Sequence, residues 1–222
     1  MNTTSNYNTI LFDLDGTLTD PFEGITKSFV YALNAFGIDE PDRNVLRRVI
    51  GPPLIYSFKE YYGFDDEKAQ KAVVKYRERF SKLGLYENRL YDGIEEMLKA
   101  LKDKDFTLAV ASSKAWVYVE QILEHFNIDK YFSFISGCEL DQTRSEKDEV
   151  IEHAISSLGI TDRSKILMVG DRKYDLIGAQ STGIDVVGVL YGYGDIDELS
   201  KYPTVFIADS VSALKKYLQD KA

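Results

Sequence analysis

The chain has 222 residues, 44% of them hydrophobic, and a formal net charge of −9, which suits one large domain with a modest insert and excludes wholesale disorder. Such an acidic surface opposes nucleic-acid polymers and anionic membranes, so an anionic small substrate needs a local basic pocket. A single cysteine, Cys138, allows no disulfide within the chain, and with only His125 and His153 beside it a Cys/His zinc site is nearly excluded.

In chain order, residues 1–9 are polar and lack the charged-then-apolar order of a secretory leader. Residues 9–14 form the first run of strand length. From 19 to 89 no strand is expected. Helical periods over 22–36, 42–50, 54–62 and 67–83 are punctuated there by Gly51-Pro52-Pro53 and Gly63. Strand-length runs at 106–111, 132–136, 166–169 and 186–190 follow, with a short edge strand at 204–208. Amphipathic helices at 93–102, 116–126, 147–158, 176–182 and 211–218 accompany them. Alternating strands and helices predict a doubly wound, mostly parallel Rossmann-like α/β sheet whose ligands bind at the carboxyl ends of the strands. The helical block sits above those ends as a cap, giving a core of 1–18 and 90–222 and a cap of 19–89. No apolar run approaches the ~20 residues of a membrane span, and a cytoplasmic setting is expected.

The first strand runs into Asp13-Leu14-Asp15-Gly16-Thr17. Residues two apart on a strand share a side, so the two acids start together. At ~4 Å they repel by ~4 kcal/mol at an effective dielectric of 20, which asks for a proton or a cation between them; solvated acids in a turn are the bland alternative. Gly170-Asp171 ends a later strand, and Asp175 falls in the first turn of the next helix, where a capping acid would serve equally well. Four carboxylates at one sheet edge call for a hard divalent cation, and Mg²⁺ suits all-oxygen ligation. Ser112 follows a strand and is placed either to hold a phosphate oxygen or to cap a helix. Lys147 begins a helix, where the dipole disfavours a cation, although surface lysines are the rule.

Taken in order, Asp13-Leu14-Asp15-Gly16-Thr17, Ser112, Lys147 and Gly170-Asp171 with Asp175 resemble the four signature motifs of the haloacid dehalogenase superfamily of hydrolases. The helical insert resembles that superfamily's small cap, and residues 98–114 and 183–194 resemble its phosphoglycolate phosphatase and 5′-nucleotidase-like branch. The resemblance implies a phosphatase for a small phosphorylated metabolite. Asp13 is then the nucleophile and Asp15 the general acid and base. Thr17 and Ser112 hold phosphate oxygens, and Lys147 offsets charge on Asp13 and on the phosphoryl group. Asp13, Asp171 and the backbone carbonyl of Asp15 bind Mg²⁺, with Asp175 beside it. One departure is that acids, Asp148 and Glu149, follow Lys147 where the family often has proline.

A phosphomutase or pyrophosphatase on the same core, a dehalogenase, and a non-catalytic phospho-accepting signalling domain are the rival readings. Arg172 and Lys173 are read as solvated. Tyr56, Tyr61, Tyr62, Tyr76 and Tyr86 of the insert are read as partly buried helix faces, and Trp116 as packing.

Overall fold

The computed structural model describes residues 7–221; residues 1–6, the greater part of the polar start, and residue 222 lie outside the described residues. The strands are β1 (Thr9–Phe12), β2 (Thr19–Asp20), β3 (Arg89–Leu90), β4 (Thr107–Ala115), β5 (Phe134–Cys138), β6 (Ile166–Gly170), β7 (Asp185–Val189) and β8 (Phe206–Ala208). Six of them make one sheet in the order β5-β4-β1-β6-β7-β8, parallel throughout. The helices are α1 (Phe22–Asn34), α2 (Leu54–Tyr62), α3 (Asp66–Arg79), α4 (Ile94–Lys102), α5 (Trp116–His125), α6 (Lys147–Ser157), α7 (Lys173–Thr182), α8 (Ile196–Leu199) and α9 (Val211–Gln219).

Both faces of the sheet are covered, and the strand alternation shows it. Ile10, Phe12, Leu108 and Val110 point into a cluster with Met97 and Leu98 of α4, Ile122 of α5 and Leu214 of α9. Leu11, Ala109 and Ala111 point the other way, onto Val150 and Ile151 of α6 and Leu176 and Ala179 of α7. A sheet buried on both faces explains why these strands read as continuous apolar runs. The chain passes from β1 outward to β4 and β5, then crosses to β6 on the other side of β1. The switch point therefore lies at the carboxyl end of β1, where Phe12 pairs with Val110 on one side and Val169 on the other.

Between β2 and β3 the chain is helical apart from its turns, with a 3₁₀ segment at Arg43–Val49 and a π-turn at Phe80–Gly84. The insert has its own aromatic centre, in which Phe29 stacks on Phe58 at 4.3 Å, and the cluster continues through Leu14, Leu18 and Ile25 to the sheet. The expectation that no strand occurs over 19–89 needs correction. Thr19 and Asp20 pair antiparallel with Leu90 and Arg89, a ladder too short for periodicity to register. Arg89 also donates to Asp20 Oδ2 at 2.6 Å, so the two crossings between sheet and helices are tied to each other. Among the described residues no helix is long and apolar enough to cross a membrane.

Candidate active site

Asp13 is carried one residue past β1, and its N–H still donates to the Val169 carbonyl (2.9 Å), so the sheet fixes its backbone. The residue is 3% exposed. The Lys147 ammonium donates to Asp13 Oδ1 at 2.8 Å and to the Ala111 carbonyl at 3.1 Å. It also lies 2.8 Å from Asp175 Oδ1, an ion pair without hydrogen-bond alignment. Lys147 is the first residue of α6, and Asp148 and Glu149 place the acids that the dipole favours in the same turn. No proline is needed to aim it. Its stem lies against Gly178 of α7, where a Cβ would come within 2.7 Å of Lys147 Cγ, so the glycine lets the two helices close on a buried lysine.

Three of the four carboxylates expected at one cation gather, and the Asp15 side chain is not in that group. Asp13, Asp171 and Asp175 each place an oxygen so that all three lie within 4.8 Å of one another. Asp171 Oδ2 accepts the Tyr193 N–H at 2.7 Å, while its Oδ1 is buried with no hydrogen-bond partner among the described residues. Burial, then the charges of Asp175 and Asp13, push the Asp171 carboxyl well above the usual range. Burial also raises Asp175, to about 6, with Lys147 pulling against it. Of these three carboxyls the Lys147 ammonium meets two, Asp13 and Asp175. An orphaned oxygen within an all-oxygen donor set fits a hard divalent cation.

Gly16 makes the turn that lets Asp15 follow Asp13 into the site. It has φ +87°, and a Cβ on it would fall 2.1 Å from Asp171 Oδ2. Asp15 is 7% exposed and meets Lys114 Nζ at 2.6 Å through Oδ2, while its Oδ1 is buried and unpartnered among the described residues. Burial raises the Asp15 carboxyl, and Lys114 opposes the rise. Ser112 lines the same cleft as Asp13 and Asp15. It lies within β4 and caps nothing, because α5 starts later, after Ala115. Thr17 is fully buried off that lining; its Oγ1 has no partner among the described residues, and its carbonyl accepts from Tyr191 (3.0 Å).

Residues 10–189 match the family model described as haloacid dehalogenase-like hydrolase. A 5′-nucleotidase of Pseudomonas aeruginosa is 50% identical over 214 residues, 96% of each chain. The chain belongs to the haloacid dehalogenase-like hydrolases. It is a phosphatase of that family. The crystal structure of a predicted phosphatase from Clostridium acetobutylicum superposes with a TM-score of 0.94 at 48% identity, covering 96% of this chain and 98% of the other. The tyrosine-protein kinase PtkA of Mycobacterium tuberculosis is 38% identical over 203 residues, 91% of this chain and 69% of its own. Membership of this hydrolase family sets the signalling-domain alternative aside.

Within this haloacid dehalogenase-like site, two contacts escaped the sequence reading. Lys114 was not singled out: the predicted strand stops at 111, and β4 carries a register shift between Ser112 and Ala115, so strand alternation does not say which way Lys114 points. The Tyr193 N–H on Asp171 comes from the loop after β7, far along the chain, and no local pattern announces it. The solvated reading of Arg172 is overturned. It is 7% exposed, with Nε on Glu198 (2.9 Å) and Nη1 on the Ile50 carbonyl (2.5 Å), tying the sheet edge to the helical insert. Lys173 is half-buried, and its N–H donates to Glu198 at 2.8 Å. Tyr76 is buried and lines the cleft, Tyr86 is 52% exposed, and Trp116 stands half out of the surface with its Nε1 on Glu139.

Proposed function

We propose that the protein is a Mg²⁺-dependent phosphoric monoester hydrolase, acting on a small phosphorylated metabolite of the phosphoglycolate or 5′-nucleotide type through an aspartyl phosphate on Asp13. The observation that carries this reading is the separate pairing of two neighbouring acids, Asp13 with Lys147 and Asp15 with Lys114. One acid is held by a buried ammonium at the sheet end. The other has its carboxyl biased toward the protonated form by burial. A nucleophile needs its carboxylate held in place, and a general acid needs a carboxyl biased toward its protonated form.

In the first displacement an Asp13 carboxylate oxygen bonds to phosphorus as the bond to the leaving oxygen breaks, and Asp15 supplies that oxygen with its proton. In the second, Asp15 takes a proton from water as the water attacks phosphorus, and the Asp13–phosphorus bond breaks to return the free carboxylate. Lys147 and Ser112 offset and position the phosphoryl oxygens, and the unpartnered Thr17 hydroxyl is the further donor the family resemblance assigns to them. Asp13, Asp171 and the Asp15 backbone carbonyl would hold Mg²⁺, with Asp175 beside them. The ion supplies charge neutralisation for the phosphoryl oxygens. Residues 19–89 serve as a cap over a core of 1–18 and 90–222, a division supported by the paired crossings β2 and β3 and by the side chains of the insert that line the cleft.

A panel of 2-phosphoglycolate, nucleoside monophosphates, sugar phosphates and pyrophosphate, assayed with Mg²⁺, tests the reading. Asp13→Asn is expected to fold normally, to form no phosphoenzyme and to turn nothing over. Near-normal kcat in that variant removes Asp13 as nucleophile, and full turnover in excess EDTA after metal removal removes the ion.

A further inference from the structure

The wall that the helical insert presents to the cleft is apolar, built from side chains such as Ile25, Val49, Leu54 and Phe80, and Arg77 of α3 is the charged side chain set into it. Across the cleft Arg77 Nη1 donates to the Leu140 carbonyl at 2.5 Å, a residue of the loop between β5 and α6. Its Nε is buried with no hydrogen-bond partner among the described residues. The ion pairs at the cleft join Lys114 to Asp15 and Lys147 to Asp13, and among the described residues none takes in Arg77. Arg77 as a whole is half-buried, yet an N–H buried without an acceptor is unfavourable, whereas an apolar side chain here would complete the wall at no such cost. The arrangement makes sense if a bound ligand supplies the missing acceptor.

We propose that Arg77 is a specificity-determining residue, gripping a planar pair of acceptor atoms on the leaving group with the free edge of its guanidinium. The proposal rests on the phosphatase reading above: Asp13 takes the phosphoryl group, and Arg77 reads what that group is attached to. A planar fork matches two coplanar acceptors, where an ammonium offers only a point charge. Two kinds of leaving group carry such a pair. One is the carboxylate of a small phosphorylated acid. The other is the edge of an oxo-purine nucleotide, where O6 and N7 accept side by side; adenine turns a donating amine to the same place.

The test compares kcat/KM within two matched pairs, 2-phosphoglycolate against ethyl phosphate and guanosine against adenosine monophosphate, for wild type, Arg77→Gln and Arg77→Lys with Mg²⁺. In one pair the wild type is expected to favour the member that carries the acceptors. Arg77→Gln should lower that ratio by about 10- to 100-fold, mainly through KM, because the grip is made before and during the reaction alike. Arg77→Lys should recover only part of it. The pair that responds identifies the source of the acceptors. If Arg77 only ties the insert to the Leu140 loop, both variants slow all four esters alike and neither ratio moves, which overturns the proposal. Should Arg77→Gln fail to fold, Arg77→Lys decides by the same ratio. A wild-type enzyme that hydrolyses none of these esters, nor p-nitrophenyl phosphate, overturns the phosphatase reading and the role of Arg77 with it; ratios unmoved while turnover persists overturn the role of Arg77 alone.

Discussion

Lys147→Met removes the cation at the centre of the carboxylate cluster while keeping much of the stem that packs on Gly178. Lys147 is 6% exposed, and Asp13 and Asp175 each lie 2.8 Å from its ammonium. Burial alone would lower its pKa, yet the two carboxylates outweigh that and hold it above the ordinary lysine value. At an effective dielectric of 20, each contact is worth roughly 6 kcal/mol of gross attraction, offset in part by desolvation of the ammonium. Breaking a buried pair from one side costs about 3–5 kcal/mol net, because the partner charge stays behind. At about 2–4 °C per kcal/mol for a chain of this size, the melting temperature should fall by roughly 6–20 °C near neutral pH in EDTA. Thermal unfolding followed by circular dichroism measures this, and millimolar Mg²⁺ should return part of the loss by supplying another cation to the same oxygens. A fall under about 2 °C in EDTA would refute the reasoning: the carboxyls would then carry too little charge for the lysine to compensate.

Three further outcomes are expected. Asp175 is pushed up to about 6 in the folded protein from 3.8, so its protonation favours folding; that stability is fully present below the unfolded pKa and is lost as pH rises through about 6, a difference on the order of 3 kcal/mol. The gain in melting temperature on adding Mg²⁺ should therefore grow across that window, and a gain independent of pH counts against the coupling. Gly16→Ala puts a methyl 2.1 Å from Asp171 Oδ2 on a backbone at φ +87°, so kcat should fall by at least about 10²-fold through misplacement of the carboxylates; an active Gly16→Ala enzyme would show the turn to be adaptable. Asp15→Asn should slow the phosphorylation of Asp13 by an alkyl ester by ~10²–10⁴-fold but by less for p-nitrophenyl phosphate, whose phenolate leaves without a proton. Single-turnover bursts isolate that step, and equal losses for the two esters would mean that Asp15 is not the acid.

The sequence by itself determined the sheet, the helical insert and the line of acids. Apolar runs of strand length forecast all six strands of the main sheet, because a sheet covered on both faces must be apolar along its whole length. Boundaries moved where the chain is held by partners rather than by its own pattern: β4 runs on through Ser112 and Lys114 to Ala115 because β5 continues to pair with it, and β2 and β3 exist only as each other's partner. Asp13, Asp15, Asp171 and Lys147 stood out because acids at the ends of apolar strands, and a lysine at a helix start, run against what solvation and the dipole favour, whereas Asp175, an acid in a first helical turn, stood out only by its distance from Asp171 along the chain. What only the tertiary structure decided is how those charges are shared. Lys114 on Asp15, the Tyr193 N–H on Asp171, Arg172 across to the insert and Arg77 beside the cleft are contacts between residues far apart in sequence. Periodicity reports which face of an element is buried; which charge meets which in that interior depends on how the elements cross, and the crossing is set by the packing of the whole chain.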